Sequence, residues 1–146
     1  MILFDGCSWT MGLELENKER DRFSTLVSEH YQTEHVNIGE SGKSNDGILR
    51  TTIRHCENNH VDIAVIQLTK ISRREVLSTD KGPPDFYGNR YYRINVNNGD
   101  IGSKSYFANL QTHEDDIANF YKNKFLLEHY FKSKNIQYFF VQLNRK

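Results

Sequence analysis

The chain has 146 residues, and its 19 basic side chains are matched by 19 acidic ones, with aromatics at 12%. That is one domain, able to bury roughly two-thirds of its unfolded surface, and the composition excludes a disordered chain. Cancelled charge removes the field that would draw it to nucleic acid or a lipid surface, and no apolar run approaches membrane length.

Residues Ile2 to Phe4 are apolar and break into Gly6-Cys7-Ser8, with a second glycine at Gly12. A short apolar run of this kind reads as a buried parallel strand. Gly6 permits a sharp turn that places Ser8 at the carboxyl end of that strand, where open α/β sheets bind ligands. Two readings stay open there. Ser8 is a nucleophile beside backbone amides, or Ser8 or Thr10 merely caps the next helix. A strand beginning at residue 2 leaves no room for a signal peptide. Cys7 and Cys56 form no CxxC, so a reducing, cytoplasmic setting is expected.

Asn17 to Tyr31 places Phe23, Leu26, Val27 and Tyr31 at helical spacing. Glu34 to Ile38 reads as a short strand, and Gly39 to Gly47 as a polar loop. Ser44 or Asp46 can cap a helix over 47–58, with Ile48, Leu49 and Ile53 inward. Val61 to Leu68 is the clearest buried strand. The stretch 69–107 differs: it holds both prolines and four of the nine glycines. Within it, Arg90–Val96 and Ile101–Phe107 are expected to pair as a hairpin around Asn97-Asn98-Gly99. An insertion after a central strand is expected to form a rim or lid over a site. Asn109 to Lys134 reads as one long helix with Ile117, Phe120, Tyr121, Phe125, Leu127 and Phe131 on its apolar face. Ile136 to Leu143 is the final strand, and its free edge leaves room for a homo-oligomer.

Strand and helix alternate throughout. The expected fold is therefore a single three-layer α/β/α domain over 1–146, flavodoxin-like, with a mostly parallel sheet of about four to five strands and the insertion at 69–107.

Three segments in this order resemble the SGNH/GDSL hydrolase family. Phe4-Asp-Gly-Cys-Ser-Trp-Thr-Met-Gly12 is similar to its first block, whose turn presents the nucleophile. Asn37-Ile-Gly-Glu-Ser-Gly42 is similar to the second, whose glycine amide holds the oxyanion. Thr69-Lys-Ile-Ser-Arg-Arg-Glu75 lies at the place of the third. The resemblance implies acyl transfer to Ser8 as an esterase, acetylhydrolase or thioesterase. The amides of Ser8 and Gly42 would form the oxyanion hole. The substrate would be a small-molecule ester or acylated carbohydrate, with no cofactor and no metal. Cys7 stands where the family has an acidic residue, and is read as packing in the turn or as a rival nucleophile. The third block lacks its asparagine, leaving Thr69 or Ser72 as the hydroxyl donor. Arg73 and Arg74 are either substrate-binding or, with Glu75, a solvated charge cluster. The family's Asp-x-x-His pair does not occur in these residues, so the general base is held by a segment beyond Lys146 or the fold works without it. Of the histidines, only His113 is expected near the rim, and His30/His35 and His55/His60 share no helix face that would bind zinc.

Two other readings remain. The same cleft can serve a catalytically silent binding module. Gly39-Glu-Ser-Gly-Lys-Ser44 also matches part of a phosphate-binding P-loop, with Lys43 and Ser44 in place but Asn37 at the first glycine position.

Overall fold

In a computed structural model, residues 1–78, 90–94 and 99–142 are described. Their elements are β1 (Ile2–Asp5), α1 (Ser8–Met11), α2 (Lys18–Asp21), α3 (Phe23–Tyr31), β2 (His35–Asn37), α4 (Asn45–Asn58) and β3 (Ile63–Leu68). There follow β4 (Arg74–Ser78), β5 (Arg90–Ile94), α5 (Ile101–Asn109), α6 (His113–Lys134) and β6 (Gln137–Gln142).

The main sheet is all-parallel in the order β2-β1-β3-β6. All four residues of β1 are buried, as a central strand covered on both faces requires. On one face, Ala64, Ile66 and Leu68 of β3 pack with Ile48 of α4 and with Phe120, Leu127 and Phe131 of α6. Tyr138 and Phe140 of β6 extend that core. On the other face α3 lays Phe23 edge-on against Phe4, with ring centres 5.4 Å apart. This is the expected α/β fold with helices in two layers. Among the described residues β6 pairs only with β3, leaving the anticipated free edge with Phe139 and Val141 exposed. None of their helices is long and apolar enough to cross a membrane.

Several expectations are corrected. The helix over 17–31 is two helices, because Arg22 is extended and caps α3. The restart aims Phe23 at Phe4 and leaves Leu26 and Tyr31 exposed rather than inward. Ser44, not Asp46, caps α4 by accepting from the Gly47 amide at 3.0 Å, so that helix starts two residues before Gly47. The expected hairpin is overturned. Residues 90–94 pair instead with β4, and Asp100 caps a helix over Ile101–Asn109 by accepting from the Ser103 amide. Asn97 and Asn98 of the expected turn lie outside the described residues. Helix α6 starts at His113 rather than Asn109, behind its cap Thr112. Half of its expected apolar face, Ile117, Tyr121 and Phe125, is exposed. The reason is polar: Asn119 and Asn123 turn inward to reach Asp46 of α4 at 3.2 and 2.9 Å, and this fixes the rotation of the helix.

Beneath the sheet's carboxyl edge lies a buried ion pair. Lys43 Nζ donates to Asp5 Oδ1 at 2.7 Å, to the Ile38 carbonyl at 2.7 Å and to Thr51 Oγ1 at 3.1 Å. Asp5 also accepts from the Gly6 amide and from the Thr51 and Thr52 hydroxyls. Burial pushes the Asp5 carboxyl up, against the pull of Lys43 and the two threonines.

Lys43→Met strands a carboxylate in the interior, and we expect it to cost about 3–5 kcal/mol in urea unfolding. Lys132→Met removes only the exposed Lys132–Glu128 pair of α6 and is expected to cost less than about 1 kcal/mol. Equal losses for the two variants would refute a structural role for the buried pair.

Candidate active site at the carboxyl ends of β1, β2 and β3

The chain leaves β1, adds β2 on one side, then crosses to place β3 on the other. That reversal opens a crevice at the carboxyl ends of β1 and β3. Gly6 makes the turn into it. A Cβ there would lie 2.2 Å from Thr10 Oγ1 and 2.8 Å from Gln67 Cβ, so only glycine fits. Cys7 occupies the N-cap position of α1 and Ser8 is its first residue, half-buried. The cap reading of Ser8 and Thr10 is therefore set aside. The Thr10 hydroxyl donates instead to Gln67 Oε1 at 2.6 Å. Among the described residues the Ser8 hydroxyl has no hydrogen-bond partner, and the Ser8 amide meets no backbone acceptor.

Gln67 is the residue the sequence reading missed. Its Oε1 accepts from the Thr10 amide at 3.1 Å as well as the Thr10 hydroxyl, and its Nε2 donates to Cys7 Sγ at 3.4 Å. A lone buried amide in an otherwise apolar strand was the available signal, since such a group must find partners.

The second loop sits on this turn. Asn37 Nδ2 donates to the Thr10 carbonyl at 2.6 Å, and its Oδ1 accepts from the Gly39 amide. The Glu40 amide donates to the Gly6 carbonyl at 3.1 Å. Gly42 has φ +77°, a conformation glycine adopts freely, and open space where a side chain would stand. Its amide, like that of Ser8, meets no backbone acceptor among the described residues. Lys43 points the other way, with all three protons committed around Asp5. The P-loop comparison thus loses the cation that would reach a phosphate.

The third segment follows β3. Thr69 exchanges two hydrogen bonds with the Asn45 side chain, which ties the start of α4 to the end of β3. Its hydroxyl accepts from Arg73 Nη1 at 2.8 Å and faces Cys7. Ser72 is half-buried in the turn that follows. The two arginines part company. Arg74 is held by Asp115 and Asp116 of α6, whereas Arg73 has no acidic partner among the described residues. Glu75 is not solvated either, its side chain being 2% exposed. It pairs with Arg50 of α4 at 2.6 Å and lies 3.6 Å from Arg93 of β5. Arg93 in turn bonds Glu40 and the Ser41 carbonyl, at 2.7 and 2.9 Å, so the antiparallel β4–β5 pair holds the loop that carries Gly42. Of the stretch 69–107, the described residue Arg93 thus contacts that loop; residues 79–89 and 95–98 lie outside the described residues.

Cys7 is 4% exposed. Burial works to raise its thiol, but the Trp9 amide, Thr69, Gln67 and the Arg73 charge outweigh it and bring the thiol below its ordinary value. Burial pushes Cys56 up to about 11, with Glu57 and Asp5 adding to the effect. No histidine is hydrogen-bonded to Ser8 among the described residues. His35 begins β2, His60 precedes β3, and His30 and His55 close α3 and α4, all toward the amino ends of the strands. His129 stacks on Phe125 of α6, and His113 opens that helix. No cluster of metal-ligating side chains occurs among the described residues.

The two thiols are expected to titrate in separate windows, followed by the ultraviolet absorbance of the thiolate. In Cys56→Ser the remaining Cys7 ionises below 9.0, and in Cys7→Ser the remaining Cys56 ionises near 11. Arg73→Gln shifts the Cys7 titration upward, because a cation that favours the thiolate is gone. A Cys7 that titrates with Cys56 would contradict the geometry. No family model and no curated protein matches this chain.

Proposed function

We propose that this protein is a small SGNH-type serine hydrolase that cleaves an ester or thioester of a small molecule or acylated carbohydrate. One observation carries the reading. Three loops, each from a different parallel strand, meet at the sheet's switch point on the Gly6–Thr10 turn, which carries a serine whose hydroxyl is unengaged among the described residues.

Ser8 Oγ attacks the carbonyl carbon, forming an O–C bond while the carbonyl oxygen takes up negative charge. The Ser8 and Gly42 amides stabilise that oxyanion. The Thr69 hydroxyl faces Cys7, which leaves as third donors Ser72 and Arg73, whose guanidinium has further N–H groups to offer. The bond to the leaving alcohol or thiol then breaks, the serine's proton leaves with it, and water hydrolyses the acyl-serine to the free acid and Ser8. A base must accept that proton first. None contacts Ser8 among the described residues, which is the observation favouring the second reading, a silent binding module in the same cleft.

Short-chain p-nitrophenyl esters test the assignment. Ser8→Ala is expected to abolish turnover, and Arg73→Met to lower kcat by about a hundred- to a thousandfold, the usual loss for one oxyanion donor. Undiminished turnover in Ser8→Ala would remove the nucleophile. Labelling of Ser8 by a fluorophosphonate counts against the silent module; absence of both labelling and turnover favours it.

A further inference from the structure

We propose that the groove beside Ser8 receives an uncharged alkyl chain of the substrate; this deepens the hydrolase reading and rests on it. Trp9 of α1 and Leu13 and Leu15 after it are exposed and line one pocket with Ser8. Together with Gly12 and Phe23 they line a cavity of about 270 Å³ that has Ser8 in its wall. This is a built groove. The Leu13 amide donates to the Ser8 carbonyl at 3.0 Å and the Leu15 amide to the Gly12 carbonyl at 3.1 Å. Gly12 turns the chain with φ +77°, and Phe23 is held by its edge contact with Phe4. The leucines are thus fixed relative to the serine.

Its chemistry selects the occupant. The walls are apolar apart from Ser8 and Glu14, and no cation lines them, so a fatty carboxylate would meet only the repulsion of Glu14. An uncharged chain buries its methylenes against Trp9, Leu13 and Leu15, each methylene removed from water adding to the affinity. At about 270 Å³ and open to solvent on one side, the groove has room for a chain of several carbons with its carbonyl at Ser8. Neither the Gly42 loop nor Arg73 lines the groove, so the groove takes the chain while they take the oxyanion.

Trp9 is the only tryptophan in the chain and is 51% exposed, which makes it a reporter at the groove. We expect 2-nonanone, an uncharged ester mimic, to give a saturable blue shift of its emission, and 2-butanone at the same concentration to give none. Leu15→Glu and Leu13→Glu, both at exposed positions, should weaken 2-nonanone by about tenfold or more. Leu126→Glu, at an exposed apolar position on α6, should leave it unchanged. No saturable shift, or binding unaltered in both groove variants, overturns the proposal. A p-nitrophenyl series from acetate to octanoate separates the two claims. Rising kcat/KM with chain length, lost in Leu15→Glu, supports both. Ketone binding without hydrolysis of any ester keeps the groove and sinks the hydrolase. Hydrolysis indifferent to chain length, with no ketone binding, does the reverse.

Discussion

The interaction on which this structure depends is the ion pair of Asp5 and Lys43. Two opposite charges withdrawn from water are tolerable only if nearly every lone pair and proton finds a partner, and here they do. The carboxylate gathers the Gly6 amide, two threonine hydroxyls and the ammonium group, while Lys43 also bonds the Ile38 carbonyl. Those partners come from β1, the loop after β2 and α4. One buried contact therefore fixes the turn that presents Ser8, the loop that carries Gly42 and the helix beneath both. It also explains why a loop resembling a phosphate cradle is not one: its lysine is the interior half of the pair.

Around that anchor the site is assembled from amides rather than from charge. Asn37, Asn45 and Gln67 each bridge two segments distant in sequence, Asn37 and Gln67 binding the α1 turn and Asn45 binding Thr69. Buried amides suit this role because each both donates and accepts, and an unmet group would be costly. They leave the Ser8 and Gly42 amides without a backbone acceptor among the described residues. Cys7 lies under that surface, where its thiol is favoured as an anion yet has little access to solvent. This fits its role as part of the floor better than that of an attacking group.

The insertion is tied in by the run Arg73-Arg74-Glu75, whose three charges do three jobs. Arg74 docks on the start of α6, Glu75 is buried between Arg50 and Arg93, and Arg73 turns to Thr69. Gly47 belongs to the same arrangement: a Cβ in its place would lie 2.3 Å from Glu75 Oε1. Arg50 also lies over the Tyr91 ring at 3.8 Å, adding a cation–π contact that presses β5 onto α4.

Much of the fold was legible because hydrophobic periodicity reports burial directly. The apolar runs of β1 and β3, the cap at Ser44 and the alternation of strand and helix suffice for a parallel α/β domain. The glycines at 6 and 42 were legible as turn positions, and Ser8 as a residue at the carboxyl end of the first strand. Other features depend on partners distant along the chain, to which local pattern is blind. Arg90–Ile94 has the composition of a strand, but only the tertiary structure decides that it pairs with Arg74–Ser78 rather than with the residues after it. Tyr121 and Phe125 continue an apolar spacing, yet the inward pull of Asn119 and Asn123 on Asp46 turns them to solvent. Arg73 and Arg74 are indistinguishable as letters; they part because Asp115 and Asp116, some forty residues on, reach only one of them. The sequence by itself determines which residues are apolar, which can turn and which can cap. Which charges are buried, and which amides remain free to bind an anion, is decided only when distant segments meet, because the cost of leaving a polar group unpaired is settled by the whole surroundings and not by its neighbours in the chain.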